Sequence, residues 1–141
     1  MLTIKIKNIG VPVPFYATKG ASGFDICSAE NAVVYSGESR IIPTGLFLEI
    51  PEGYEVQIRP RRRLTARHNV TVSNSPATID SDYRGEVGII LMNHSNKPFI
   101  IMEGDRIAQG VFAPVIQAQF ELVNELSSTE RSVGGFGSTG V

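Results

Sequence analysis

The feature that most constrains the fold is a series of short apolar runs separated by clusters of Gly, Pro, Asn and Ser. The runs are rich in Val, Ile, Leu and Phe, which is typical of β-strands rather than of helices. Short strands at this spacing predict an all-β sandwich or barrel. The predicted strands are Leu2–Lys7, Ala32–Tyr35, Gly45–Ile50, Tyr54–Ile58, Val70–Val72, Glu86–Met92, Phe99–Ile101 and Arg106–Phe112.

The chain has the length of a single domain, and its amino-acid composition changes once, near the C-terminal end. The 141 residues include 42% apolar and 19% charged residues, the composition of a packed globular protein. Residues 62–68 favour a short turn of helix, too brief to be a framework element. We predict a β-barrel domain over residues 1–126 and a flexible glycine-rich lid over residues 127–141. The alternative for the lid is a frayed tail, because it has little to bury.

Charge and cysteine content argue against several classes of protein. The net charge is −1, whereas a chain that mainly coats nucleic acid is usually basic. Cys27 is the single cysteine, so no internal disulfide forms, which fits a reducing compartment. The first residues alternate as a strand does, and no apolar run is long enough to cross a bilayer. We expect a soluble, cytoplasmic protein with no membrane partner and no stable nucleic-acid partner.

Five polar segments carry the candidate chemistry. Arginines at three separated places fit a polyanion such as a phosphate chain. Carboxylates in these segments fit a general base or a hard cation, and aromatic rings could flank a flat base. On these grounds alone, a nucleotide site is favoured only somewhat over ordinary turns. The segments are 21–26, 59–65, 74–86, 104–109 and 131–140, and the side chains are Arg61, Arg106, Arg131, Asp25, Asp80, Asp82, Asp105, Tyr83 and Phe136.

In their order and spacing, the five segments resemble the five motifs of the trimeric dUTPase family. The third motif, at Ile79–Gly85, and the fifth, at Gly134–Gly140, are the most specific. The resemblance implies an all-β, jelly-roll-like barrel or sandwich that forms a homotrimer with a swapped C-terminal arm. It also implies a dUTP diphosphatase, which hydrolyses dUTP to dUMP and pyrophosphate. Such an enzyme limits uracil incorporation into DNA and supplies dUMP for dTMP synthesis.

The resemblance also assigns roles to single residues. Asp80 matches the catalytic carboxylate, which would accept a proton from the water that attacks the α-phosphorus. Tyr83 matches the residue beneath the deoxyribose, where its ring leaves no room for a 2′-hydroxyl. The implied cofactor is Mg²⁺, held mainly by phosphates and water, with Asp25 acting on it indirectly through water. The implied substrate-binding residues are Arg61, Arg62, Arg63, Asn74, Thr78, Ile79, Tyr83, Gln109, Arg131, Phe136, Gly137, Ser138 and Thr139.

The second motif departs from the family pattern Pro-Arg-Ser-Gly-Leu-Ala. Arg62 stands where the family has a serine that meets the phosphate chain, and Arg63 stands where it has a glycine. Arg62 would either add a charged contact to substrate and product alike or block the bent phosphate chain. A positive φ at the glycine position would strain Arg63 by roughly 1–2 kcal/mol. We expect weakened but not abolished catalysis. Ala77 and Ser132 also stand where glycine is usual.

Three alternatives stay open at this point. A non-catalytic or weakly active dUTP-binding homologue is favoured by the second motif and disfavoured by the intact Asp80 and Tyr83. A dCTP deaminase would share the fold, but the third and fifth motifs favour a dUTPase. A nucleic-acid binder would use a short basic run, which lacks interleaved aromatic residues and a recognisable helix motif. That run consists of Arg59, Arg61, Arg62, Arg63 and Arg67.

Overall fold

The computed structural model describes residues 1–140 and confirms an almost entirely β chain. Val141, the last residue of the predicted lid, lies outside the described residues. Within residues 1–140 the chain forms ten strands and one helix, α1 (Arg62–His68), where the sequence predicted a helical turn. This range contains no helix with the length and apolar character needed to cross a membrane. The strands are β1 (Lys5–Asn8), β2 (Phe24–Cys27), β3 (Ala32–Val34), β4 (Ser39–Glu49), β5 (Tyr54–Arg59), β6 (Val70–Val72), β7 (Ala77–Ile79), β8 (Glu86–Asn93), β9 (Phe99–Ile101) and β10 (Arg106–Pro114).

The described strands form two larger antiparallel sheets and one strand pair. The first sheet has the order β1-β4-β8-β6, the second has the order β2-β10-β5-β7, and β3 pairs with β9. Strands that are distant in sequence, such as β2 and β10, lie side by side. Such long-range antiparallel pairing is typical of Greek-key and jelly-roll connections. The predicted jelly-roll-like fold is therefore confirmed.

Alternating side chains of the two larger sheets build one common core. On β8, the buried residues Val87, Ile89 and Leu91 alternate with exposed or half-buried neighbours. Ile42 on β4 and Ile58 on β5 belong to the same cluster. Full burial of each such side chain stabilises the fold by about 1.5–3 kcal/mol. The core thereby holds the ends of the strands, which carry the candidate site, in a defined arrangement.

Gly110, in the middle of β10, is required by the aromatic packing around it. A Cβ at this position would overlap the buried ring of Phe24, which stacks on Phe112 with a centroid separation of 5.3 Å. We expect Gly110→Ala to lower the free energy of unfolding by about 1–3 kcal/mol through overpacking, as measured by urea denaturation. Gly20→Ala is the control, since a Cβ there meets no atom within 4 Å. Equal losses in the two variants would contradict this account.

The packed body ends where β10 ends. Val115 donates its backbone N–H to the Gly53 carbonyl at 2.9 Å, but almost every residue from 116 to 140 is exposed. We call residues 116–126 the arm. Its side chains Ile116, Phe120 and Leu122 are 94%, 95% and 99% exposed. Large apolar side chains exposed together are typical of an interaction surface.

Candidate functional site

Three of the five motifs meet at one end of the sheet β2-β10-β5-β7. Asp25 on β2 pairs with Gln109 on β10, and Gln109 also pairs with Arg59 at the end of β5. Beyond Arg59, the chain turns through Pro60 and enters α1, with Arg61 at its N-cap. The result is a cleft of about 610 Å³, which we call the cationic cleft. It is lined by Asp25, Arg61, Arg62, Arg63, Ala66, Arg67 and Gln109.

Asp25 lies between two arginines in the cationic cleft. Its Oδ1 accepts a hydrogen bond from Arg61 Nε at 2.9 Å, and its Oδ2 contacts Arg106 Nη1 at 3.5 Å. A carboxylate has about four acceptor positions, so Asp25 can still accept hydrogen bonds from water. The sequence made Arg106 a candidate phosphate ligand. In the structure, its contact with Asp25 contributes to orienting that carboxylate.

Gln109 supports the loop that carries the second motif. Its Nε2 donates to the Pro60 carbonyl at 3.0 Å. A Cβ on Gly23 would lie 2.5 Å from Gln109 Oε1, so the side chain of Gln109 can take this position only because residue 23 is glycine. The first, second and fourth motifs therefore depend on one another for their geometry.

Arg62 and Arg63 are ordinary helical residues at the start of α1. Both are exposed, and neither forms an ion pair within the described chain. The non-glycine residues of positive φ between residues 1 and 140 are Asn69, Ser132 and Phe136. The strain that a positive φ would have placed on Arg63 is therefore absent. Ser132 has a φ of 49°, a conformation that the usual glycine adopts more readily.

Asp80 lies in a second cleft, of about 740 Å³, which we call the carboxylate cleft. Asp80 follows β7 and begins a turn in which Tyr83 donates its N–H to the Asp80 carbonyl at 3.2 Å. Ser81, Asp82 and Arg84 line the same cleft. Asp80 is exposed and makes no ion pair among residues 1–140, so its carboxylate is accessible to a water molecule.

The Tyr83 ring is held in place beside the carboxylate cleft. Its hydroxyl donates to the Glu86 carbonyl at 2.9 Å. A Cβ on Gly85 would overlap this hydroxyl, so the ring depends on the glycine of the third motif. Tyr83 is 44% exposed, which leaves part of the ring available to a ligand.

The cationic and carboxylate clefts lie towards opposite ends of one sheet. Ile79 on β7 pairs with Val56 on β5, and Val56 lies three residues before Arg59, the last residue of β5. Asp80 follows Ile79 and therefore lies one residue further from Arg59 along the strand direction. At about 3.3 Å per residue, Asp80 lies roughly 13 Å from Arg59 along the strand direction. The predicted hairpin residues Asn74, Thr78 and Ile79 lie in or next to β7. Within one chain, the first, second and fourth motifs therefore lie together, whereas Asp80, the candidate catalytic residue of the third motif, lies apart from them.

The predicted lid residues contact one another rather than either cleft. Arg131 Nε donates to the Gly134 carbonyl at 2.8 Å, and the backbone N–H of Ser138 donates to the Gly135 carbonyl at 3.1 Å. Phe136, Gly137 and Thr139 are exposed. Within the described chain, no hydrogen bond joins residues 129–140 to the packed body.

A metal site made entirely of protein side chains is absent from residues 1–140, where no three His, Cys, Asp or Glu residues cluster suitably. Burial and then the charge of Asp25 raise the pKa of the Cys27 thiol, which disfavours its thiolate form. A hard cation in the cationic cleft would need phosphate oxygens and water for most of its ligands.

Sequence reasoning left Arg67 out of the predicted site, although it lines the cationic cleft. Arg63 and Arg67 are four residues apart on α1, and residues at that spacing lie on the same face of a helix. That spacing was the signal available in the sequence. Gly23 and Gly85 belonged to the motif segments, but their roles become clear only from the side chains that pack against them.

Comparison with known proteins identifies the family of the chain. A protein-family model described as dUTPase matches residues 10–140. The chain belongs to the dUTPase family. Two similar proteins are named deoxyuridine 5′-triphosphate nucleotidohydrolase. The one from Nautilia profundicola is 55% identical and covers 99% of this chain and 98% of its own length. The one from Bdellovibrio bacteriovorus is 56% identical and covers 96% of this chain and 93% of its own length.

A solved dUTPase structure shows the same likeness in three dimensions. The dUTPase of Staphylococcus bacteriophage 80alpha with dUPNHPP superposes with a TM-score of 0.90 and 27% sequence identity. The match covers 99% of each chain, so it includes both clefts and the tail. The family assignment therefore applies to the whole dUTPase domain of this chain.

Proposed function

We propose that this chain hydrolyses dUTP to dUMP and pyrophosphate. The family model and the names of the relatives support this activity. The observation that carries it is the convergence of Asp25, Arg61 and Gln109, which come from three separate motifs, in one cleft. Among residues 1–140, four arginines line this cleft beside a single carboxylate, which suits a ligand that carries several negative charges. The family match decides against a dCTP deaminase, and a non-catalytic homologue is not favoured.

Asp80 is the proposed general base. It takes a proton from a water molecule while the water oxygen forms a bond to the α-phosphorus. The bond from that phosphorus to the bridging oxygen breaks, and pyrophosphate leaves with the bond's electron pair. The exposure of Asp80 supports this role, because a general base must reach the water that it deprotonates.

Mg²⁺ is the proposed cofactor, and the residues present fit an ion that is carried mainly by the substrate. In the part of the chain that the structure describes, Asp25 is the one carboxylate lining the cationic cleft, and it retains acceptor capacity for the water shell of the ion. When bound, Mg²⁺ would neutralise part of the charge of the phosphates. Gln109, held against Pro60, would contact the phosphates or their waters.

The third motif is proposed to recognise uracil and deoxyribose. The strand β7 is an edge strand of its sheet, so one row of its backbone N–H and C=O groups has no partner strand in the described chain. These groups around Thr78 and Ile79, together with Asn74, would pair with one edge of the base. Tyr83 would lie under the sugar and exclude a 2′-hydroxyl.

The role of Tyr83 predicts a change in sugar selectivity. We expect Tyr83→Ala to raise kcat/KM for UTP relative to dUTP by on the order of tenfold or more, because the ring no longer occupies the 2′ position. Tyr83→Phe is the control, since it keeps the ring and loses only the hydrogen bond to Glu86. Competition assays with both nucleotides measure the ratio. An unchanged ratio in Tyr83→Ala would remove Tyr83 from sugar recognition.

Residues 127–141 are proposed to form a lid over the bound nucleotide. Arg131, Ser138 and Thr139 would contact phosphates, Phe136 would stack on uracil, and Gly137 would allow the backbone to approach. Phe136 is fully exposed in the single chain, which supports a role that begins only when a ligand is bound. Stacking on a base is worth about 1–3 kcal/mol in other sites.

A homotrimer with a swapped arm is the proposed assembly. In the arm, the apolar residues Ile116, Ala118, Phe120 and Leu122 alternate with polar residues, which is the pattern of a strand with one buried face. The edge strand β1 lies beside an apolar groove of about 440 Å³ that includes Leu2, Ile4 and Ile6. An arm from another copy would pair with β1 and cover this groove. Assembly would also bring Asp80 of one copy to the cationic cleft of another.

Pyrophosphate release from dUTP with Mg²⁺, measured beside dCTP, dTTP and UTP, tests the proposed function. Release from dUTP alone is the expected result. Absence of release would contradict it, and restoring Arg62→Ser and Arg63→Gly would then show whether the second motif is the cause. The cytoplasmic location stays a prediction from the sequence.

A further inference from the structure

A bulge in β4 interrupts its pairing with β8 close to the third motif. The register places Pro43 opposite Gly88 and Phe47 opposite Glu86, so three residues of β4 lie opposite a single residue of β8. Such a bulge leaves backbone groups of the extra residues without partners in the ladder. These groups need other hydrogen-bond partners, because unpaired backbone groups inside a sheet are costly.

Two side chains supply the missing partners. Oε1 of Glu86 accepts a hydrogen bond from the Gly45 N–H at 2.8 Å. Oγ1 of Thr44 accepts from the Leu46 N–H at 3.2 Å and donates to the Val87 carbonyl at 2.6 Å. Hydrogen bonds to a charged acceptor are stronger than neutral ones. The carboxylate of Glu86, the first residue of β8, therefore ties the start of β8 to the bulge.

The other end of this hydrogen bond, at Gly45, is itself fixed in position. Gly45 has a φ of 66°, a conformation that glycine adopts readily. Its carbonyl accepts the Ile9 N–H at 2.9 Å, and a Cβ on Gly45 would lie 2.8 Å from the Ile9 carbonyl oxygen. The Gly45 N–H is therefore a rigid anchor for the carboxylate of Glu86.

The backbone of Glu86 supports the Tyr83 ring. The Tyr83 hydroxyl donates to the Glu86 carbonyl at 2.9 Å, and the same hydroxyl lies where a Cβ on Gly85 would be. We call the backbone of residues 85 and 86 the ring seat. Glu86 thus makes two contacts in different directions, because its side chain binds the bulge while its backbone forms part of the ring seat.

We propose that Glu86 is a positioning residue for sugar specificity. Its carboxylate, bound to the Gly45 N–H, holds the ring seat in place and thereby fixes the Tyr83 ring. The inference rests on the proposed function, which places Tyr83 under the deoxyribose. Glu86 needs no contact with the nucleotide, because it acts through Tyr83. A displaced ring seat would move the ring and make room for a 2′-hydroxyl.

Competition assays with dUTP and UTP test this role. We expect Glu86→Ala to raise the kcat/KM of UTP relative to that of dUTP by about three- to fivefold, less than removal of the ring itself. Glu86→Gln keeps an acceptor oxygen for the Gly45 N–H, so its ratio should stay within about twofold of wild type. Tyr83→Phe should also stay close to wild type, since its ring can still pack on the seat.

Thr44→Val separates specificity from stability. This variant keeps the shape of the side chain but removes the two other hydrogen bonds of the bulge. Because Thr44 is buried, two unsatisfied backbone groups should lower the melting temperature at least as much as Glu86→Ala does. The ratio of UTP to dUTP hydrolysis should nevertheless remain near the wild-type value, because Glu86 still binds Gly45.

A double-mutant cycle shows whether Glu86 acts through Tyr83. In a Tyr83→Ala background the ring is gone, and adding Glu86→Ala should change the ratio by less than about twofold. A general effect of Glu86 on the fold would instead change the ratio in both backgrounds.

An unchanged ratio in folded Glu86→Ala would overturn the role of Glu86, as would an equal shift in Glu86→Gln or Thr44→Val. A shift that persists at full size in the Tyr83→Ala background would overturn it too. Thermal unfolding shows whether each variant is folded. Glu86→Leu, which has no acceptor oxygen but a side chain of similar size, is the second variant if Glu86→Ala does not fold.

The affinities for non-hydrolysable imido analogues of dUTP and UTP, measured by isothermal titration calorimetry, give the same ratio without turnover. A shift of this affinity ratio in Glu86→Ala, with no pyrophosphate release from dUTP by the wild-type chain, would contradict only the proposed function. Pyrophosphate release by the wild-type chain, with an unchanged ratio in Glu86→Ala, would contradict only the role of Glu86.

Discussion

The Asp80→Asn variant is expected to release pyrophosphate from dUTP about 10²–10⁴ times more slowly than the wild-type chain. Asparagine keeps the shape of the side chain but cannot accept the proton of the attacking water. Because Asp80 is exposed and takes no part in the core, the variant should fold normally. Binding of a non-hydrolysable imido analogue of dUTP should stay within a few-fold of wild type, so the loss should appear in kcat rather than in KM.

Asp82 offers a matched control for this variant. Asp80 and Asp82 line the same cleft, and both are exposed. Asp82→Asn therefore removes the same charge from the same cleft without removing the proposed base. Similar loss of kcat in both variants would mean that the cleft needs negative charge rather than a base at residue 80. Full activity of Asp80→Asn would place the general base elsewhere.

Long strands built on apolar runs were predictable from the sequence. In β8, Val87, Ile89 and Leu91 point to the core at every second residue, within a run so rich in apolar residues that it predicts a strand. The short helix was predictable as well, because residues 62–68 lack the β-branched run that marks the neighbouring strands. These elements depend mainly on local preference and on one buried face.

Strands β2 and β7 and the first half of β4 were not predicted, for physical reasons. β2 contains only Phe24 and Ile26 as buried residues, too few to establish a period of two. β4 begins at Ser39, before the predicted start at Gly45, because Pro43 interrupts the apolar pattern. Proline is tolerated there because the pairing of β4 with β8 shifts register just after Pro43. Such strands form because a partner strand is present, which a local pattern does not reveal.

The identity of the site residues could be predicted, but their arrangement could not. The motif order indicated Asp25, Arg61, Asp80 and Gln109, yet the sequence does not show at which end of a sheet each residue lies. The pairing of β7 with β5 places Asp80 away from Arg61, and this pairing is a long-range property of the fold. The same limit applies to the arm. Apolar and polar residues alternate from Ile116 to Leu122 as in a strand, but these residues would need the edge strand of another chain to pair with.

The separation of the two clefts leads to the second large expected effect. If Asp80 of one protomer acts at the cationic cleft of another, two inactive variants should restore activity to each other in mixed trimers. We expect Asp80→Asn and Arg61→Gln each to be inactive alone. A site that combines Arg61 from the first variant with Asp80 from the second contains no substituted residue. Random assembly into trimers should therefore recover about a quarter of wild-type activity.

Co-refolding the two variants in equal amounts and measuring pyrophosphate release from dUTP tests this expectation. The control is Asp80→Asn refolded with Asp80→Ala, because every mixed site then lacks the base and no activity should return. Recovery of about a quarter of wild-type activity in the first mixture and none in the control would place Asp80 and Arg61 of a working site on different protomers. If mass spectrometry shows mixed trimers but no activity returns, Asp80 and Arg61 of a working site would belong to the same chain. That chain would then have to close the roughly 13 Å gap between its own two clefts, which requires its strands to rearrange on binding.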